Sequence, residues 1–419
     1  MTVLIKQATI ICPSSPFHLQ VKDVLVVDGI IKSIDTNISV ENSQTITGSN
    51  LHISIGWMDI FADFAEPGNE HRETLESGAN AAAAGGFTDV MLVPDTMPTV
   101  SSKAQIEFLI ERAKTLPVNI HPIGSVTKNG EGTTLTEMYD MYNSGAVAFS
   151  DGRKSIQQSG ILLKALQYVS AKNAVIMQVP DDRSISDGGL MNEGIMSTKL
   201  GLPGNPAMAE EVMIARDIAL LRYTESHLHI TGVSTKKGID LIKNAKEEGL
   251  HITCSVAPYH LFYCEDDLVN YDTNLKVNPP LRTKQDVDAL QDALKSGNID
   301  CIASHHTPQC ADDKICEFEY AKNGMITLQT LYGTVNGIVN DTELLVKMLT
   351  EQNRKIFGLT MSEIEIDTPA CLTIFEPETK YMFEEKAILS KSKNSAFIGK
   401  EMKGKVIGII NKNKLVLNN

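Results

Sequence analysis

Eight short apolar, β-branched runs recur along the middle of this chain, at residues 57–64, 87–94, 118–126, 146–151, 174–180, 227–234, 251–259 and 299–306. Each is followed by a stretch of roughly 11–20 residues with helical patterning, and a run of apolar strand followed by helix is the signature of a βα unit. One helical stretch shows its stop signal plainly: the alanines 81–84 end at Gly85-Gly86. Eight such units close into a parallel (β/α)8 barrel, which takes roughly 250–300 residues. The chain has 419, so the α/β barrel expected over 55–367 leaves room for one small domain more.

Both ends supply it. The run Val24–Val27, then Asp28-Gly29, then Ile30–Ile34 reads as a hairpin with a tight turn. Near the other end, 405–410 and 414–417 flank Asn411-Lys412-Asn413 in the same strand–turn–strand pattern. Residues 1–54 and 368–419 are therefore expected to complete one composite β-sandwich.

Composition narrows the class. Hydrophobic residues at 42% and charged residues at 21% are those of a globular protein. A formal net charge of −14 repels phosphate backbones and argues against nucleic-acid binding. There is no apolar run long enough to span a membrane, and Met1–Lys6 reads as a strand, not a leader. The 7 cysteines include no CxxC pair, and Cys310 and Cys316 read as ordinary small residues, which fits a reducing cytoplasm.

In a barrel of this kind chemistry sits at the C-terminal ends of the strands. The residues there are Phe61 and Asp63, Asp95, Thr127, Asp151, Gln178, Thr231 and Gly232, Tyr259 and His260, and His305 and His306. A binuclear hydrolytic zinc site needs several imidazoles with bridging carboxylates, and this set is poor in them. His227 and His229 form an HxH pair, but at the start of strand six, where a structural role is expected.

The order of motifs resembles the dihydroorotase family of amidohydrolases, which includes non-catalytic partners of aspartate transcarbamoylase. Gly56 to Gly68 is similar to the strand-one motif G-x-x-D-x-H-x-H-x-R-x-P-G. Val93-Pro94-Asp95-Thr96-Met97-Pro98 resembles M-P-N-T-x-P, and Ala148 to Gly152 the strand-four motif. Met191 to Gly194, Leu202-Pro203, Glu210, Arg216-Asp217, Lys276 to Arg282 and Lys391 to Lys400 continue the likeness over nearly the whole chain.

The departures concentrate where the resemblance implies the site. The two strand-one metal histidines map to Phe61 and Asp63, and the substrate-clamping arginine to Ala65. The strand-two asparagine maps to Asp95, and the strand-five and strand-six metal histidines to Gln178 and Gly232. The strand-eight T-D-H-A-P-H maps to Ser304–Gln309, so the catalytic aspartate becomes His305 and a substrate-contacting histidine becomes Gln309. Asp151 alone stands unchanged among the ligand and base positions, and Asn278 among the substrate contacts.

A second metal would need Asp151, Gln178 and Gly232, a set with one strong donor. Ala65 removes the bidentate clamp for a substrate carboxylate and Asp95 repels it. Two readings of the remaining pocket stay open. Asp63, Asp151 and His305 hold one divalent ion, or a protonated His305 sits between the two aspartates in a vestigial, metal-free cluster. The resemblance implies a dihydroorotase-like protein of pyrimidine biosynthesis, without zinc and non-catalytic, that scaffolds or regulates aspartate transcarbamoylase as a homodimer. The alternatives are an active cyclic amidohydrolase with a rewired single-metal site, and a metal-free small-molecule sensor.

Overall fold

A computed structural model describes residues 1–418. Eight parallel strands follow one another in the order of the chain: β6 (Trp57–Ala62), β7 (Phe87–Leu92), β8 (Asn119–Gly124), β9 (Ala148–Phe149), β10 (Val175–Gln178), β13 (His227–Thr231), β14 (Ile252–Val256) and β15 (Cys301–Ile302). A small arm of β11 (Met191–Asn192) and β12 (Gly204–Asn205) interrupts them. The ring closes where the Asp63 amide donates to the carbonyl of His306 at 2.9 Å. Helices pack outside, among them Leu75–Ala84, Met208–Thr224 and Lys284–Lys295.

Two of the eight expected strands are much shorter than their runs. In 146–151 only Ala148 and Phe149 pair, and in 299–306 only Cys301 and Ile302. Main-chain bonds continue past the paired residues, Ser150 to Gly124 and Ala303 to Val256, while the polar ends of the runs bond through side chains, Asp151 with Ser125 and Thr127 and Ser304 with Asp59. Met58, Met91, Ile123, Ala148, Met177 and Cys301 fill the barrel interior.

The chain ends build the second sheet. Strands β1 (Thr2–Ile11), β2 (Val21–Val27), β3 (Ile30–Asp35), β4 (Gln44–Ile46) and β5 (His52–Ile55) come from the start. Strands β16 (Leu372–Met382), β17 (Glu401–Asn411) and β18 (Lys414–Leu417) come from the finish. They hydrogen-bond in the order β18-β17-β16-β5-β1-β2-β3, and β5–β16 is the seam between the two ends. One edge of β1 serves β4 along Val3–Ile5 and then β5 along Thr9–Ile11, over a core of Val3, Ile5, Ile10, Val24, Ile53, Leu372 and Ile410. At the β2–β3 turn Asp28 and Gly29 both take positive φ, +49° and +77°, the left-handed pair that a two-residue hairpin requires. No helix among the described residues is long and apolar enough to cross a membrane.

Candidate functional site

The barrel mouth is organised by an arginine. Arg153 follows β9 by four residues and reaches back across the opening. Its Nη2 lies 3.2 Å from Asp63 Oδ2, and its Nε and main-chain amide meet Asp95 Oδ2 at 3.4 and 3.0 Å. A second guanidinium, Arg72, approaches Asp63 Oδ2 at 3.3 Å and also donates to the carbonyl of Pro308. Asp63 is 2% exposed, and its other oxygen accepts the Ala65 amide at 2.7 Å. Burial opposes the charge of Arg153, but Asp95 and Asp63 outweigh it and hold the guanidinium above its usual range. The close approach of Asp95 needs the glycine beside it, because a Cβ on Gly152 would stand 2.1 Å from Asp95 Oδ2.

Asp151 turns away from this cluster. Its carboxylate accepts from Ser125 Oγ and the Thr127 amide, each at 2.8 Å, and from Thr127 Oγ1. Burial raises its pKa, and these bonds only partly offset the shift. Gln178, on the next strand, accepts the Ile156 amide through Oε1 at 3.3 Å, while its Nε2 has no partner.

His305 fills the space beside Gly232, which follows β13. A Cβ on Gly232, whose φ is +75°, would come within 2.6 Å of His305 Cε1. The imidazole lies against the ring of Phe61, with centroids 4.6 Å apart. Its Nε2 is 2.8 Å from Thr231 Oγ1. Ser255 Oγ donates to Thr231 Oγ1, also at 2.8 Å, which leaves the Thr231 hydroxyl to donate to His305. His229 completes the line through Nε2 to Ser255 Oγ at 3.0 Å. Burial pushes both histidines down to about 3, so both are neutral.

This overturns the expectation of a protonated His305 between two aspartates. The cations facing Asp63 are Arg153 and Arg72, Asp151 relies on hydroxyls, and the buried His305 accepts from Thr231. The alternative set of Asp63, Asp151 and His305 as ligands of one ion is not assembled either. Each faces a different partner, and no three His, Cys, Asp or Glu side chains among the described residues are grouped to hold a metal. A binuclear metal centre does not fit these residues: Phe61 and Gly232 offer no donor, Gln178 offers a weak neutral one, two guanidiniums rest on Asp63, and Asp151 is bound by Ser125 and Thr127.

The other pocket residues lie around the same opening. Ala65 has φ +59° and carries no clamp. Asn278 is half-buried, beside a cis bond to Pro279. Gln309 donates through Nε2 to the Asn323 carbonyl at 2.8 Å, and its Oε1 has no partner. His260 lies on the Pro279 carbonyl at 2.9 Å and is lowered to about 4 by burial. His229 is structural, its Nδ1 held at 2.8 Å by Thr253 Oγ1, and His227 contacts His251 at the barrel floor. Neither Arg153 nor Arg72 stands out in the sequence pattern, although Arg153 lies two residues beyond Asp151.

With this geometry in hand, comparison with known proteins is decisive. A dihydroorotase of Geobacter metallireducens is 37% identical over 96% of both chains. The chain belongs to the dihydroorotase family. The family model described as dihydro-orotase-like matches residues 52–238. A dihydroorotase of Ruminiclostridium cellulolyticum is 40% identical over 91% of this chain and 90% of its own. Among solved structures, an L-hydantoinase from Arthrobacter aurescens superposes with a TM-score of 0.87 at 23% identity, over 99% of this chain and 96% of that one. That likeness establishes the shared barrel-and-sheet architecture of this dihydroorotase-family chain.

Proposed function

We propose that this dihydroorotase-family protein serves pyrimidine biosynthesis without running metal-dependent ring hydrolysis, as a scaffold or regulator of aspartate transcarbamoylase. The observation that carries the reading is the Arg153 guanidinium between Asp63 and Asp95. A fixed cation there neutralises acids that would otherwise call for a metal, and it leaves neither Asp63 nor Asp95 free to move a proton. The partner and a homodimeric state rest on the family resemblance, and a cytoplasmic setting on cysteines of which none are spaced as CxxC.

The test is elemental analysis of protein purified without chelator, together with a dihydroorotase assay and sedimentation with aspartate transcarbamoylase of the same organism. Less than about a tenth of an equivalent of metal per chain, no turnover and a stable complex are expected. Turnover of dihydroorotate would overturn the proposal.

The names of the relatives favour a second reading, an active hydrolase of cyclic amides. On that reading one divalent ion binds Asp63, Asp151 and His305 once Arg153 is displaced. About one equivalent of metal, lost in His305→Ala, would support it. A metal-free sensor would show neither metal nor complex, but stabilisation by a pyrimidine intermediate.

A further inference from the structure

Beside the barrel mouth lies a second cavity, of about 450 Å3, between the loop after strand eight, residues 273–274 and the segment 391–394. Its walls include His71, Gln309, Lys314, Lys391 and Lys393. None of these three lysines forms an ion pair among the described residues. Each spends its ammonium protons on main-chain carbonyls instead. Lys391 donates to Glu70 at 2.7 Å, and Lys393 to Ile388 and Ser390 at 2.6 and 3.2 Å. Lys314 donates to Thr273 at 2.7 Å and Lys322 at 2.8 Å.

The neighbouring acids lie beyond ion-pair distance of these lysines and bond other groups. Asp313 pairs with Lys322 at 2.9 Å and accepts the Cys310 thiol. Asp272 accepts the Asn274 amide, and Glu70 the Gly68 amide. A chain with a net charge of −14 thus keeps three ammonium groups around one cavity with no acid at ion-pair distance among the described residues.

Lys314 is the sharpest case. It is 6% exposed, and an ammonium has three donors, of which two are matched. Burial, with Lys276 nearby, lowers it to about 8 against the opposing pull of Asp272 and Asp313. Gln309 is 4% exposed, and its Oε1 lacks a donor. The cavity volume falls in the range of small-molecule sites, so there is room beyond a bare ion.

We propose that this cavity binds a small organic anion, its phosphoryl or carboxylate group held by Lys314 at the base and by Lys391 and Lys393 at the rim. Gln309 Oε1 accepts from a donor on the body of the same ligand. The site is independent of the metal question at the barrel axis, but it adjoins that axis: Ser392 Oγ donates to the carbonyl of Arg72 at 2.6 Å, and the side chain of Arg72 pairs with Asp63.

Inorganic phosphate and succinate serve as probes, titrated into the full-length protein at constant ionic strength against chloride, with calorimetry and thermal unfolding as readouts. Saturable binding of at least one probe is expected, and which one saturates names the group recognised. Lys314→Met, and separately Lys391→Ala with Lys393→Ala, should raise Kd about tenfold or more. Arg153→Met should leave it unchanged. The exposed double variant carries the test if Lys314→Met fails to fold. No saturable binding of either probe, or an unaltered Kd in the double variant, overturns the proposal, and neither result bears on metal content or turnover.

Discussion

Replacing Arg153 with methionine tests whether this side chain, and not a metal, balances the acids of the barrel mouth. The substitution keeps the aliphatic stem and removes contacts at 3.2 Å to Asp63 and 3.4 Å to Asp95. The arginine side chain is 32% exposed, so each contact is worth about 1 kcal/mol and not the larger figure of a sealed pair. Asp63 is sealed at 2%, but keeps Arg72 at 3.3 Å, which caps the penalty of leaving it buried. The expected loss is about 2–3 kcal/mol in equilibrium urea unfolding at pH 7. A double-mutant cycle with Asp63→Asn should return a coupling of about 1–2 kcal/mol. A loss below about 0.5 kcal/mol with no coupling would refute the reasoning, as would acquisition of a stoichiometric metal by the wild type with Arg153 displaced.

Gly232→Ala should destabilise by about 2 kcal/mol or more, since a side chain at φ +75° is strained and its Cβ would meet His305 at 2.6 Å; adding His305→Ala should recover part of the loss. His305→Ala alone should leave the metal content unchanged, as read by elemental mass spectrometry, because His305 Nε2 is committed to Thr231. Stability should fall as pH drops below about 6.5, because His229 and His260 are held at about 3 and about 4 in the fold. The unfolded chain binds protons that the folded chain refuses, so each histidine contributes a slope of up to about 1.4 kcal/mol per pH unit between its two pKa values. Urea midpoints from pH 7 to 4.5 check this, and His229→Gln should flatten the curve. Glu210→Gln should cost about 3 kcal/mol by leaving the buried Arg282, 3.9 Å away, without a charge partner.

The barrel was legible because strand spacing and β-branched content are local properties. The terminal sheet was legible from its turn residues: Asp28-Gly29 and Lys412-Asn413 both adopt positive φ between paired strands. The residues at the strand ends could be read by position, as at Phe61 and Gly232. Their partners could not. Charge balance is a three-dimensional matter, and Arg72 and Arg153 are 81 positions apart yet share one carboxylate oxygen. Residue type alone makes His305 look like the compensating cation. Its protonation state follows from burial and from a hydroxyl on a neighbouring strand.

The missing Cβ at Gly232 ties together two positions 73 residues apart in the chain. A side chain at 232 would stand 2.6 Å from His305 Cε1, so the imidazole would have to leave the Phe61 ring and Thr231 Oγ1 to admit it. Positions 232 and 305 are therefore free to vary only as a pair, a larger residue at one calling for a smaller residue at the other.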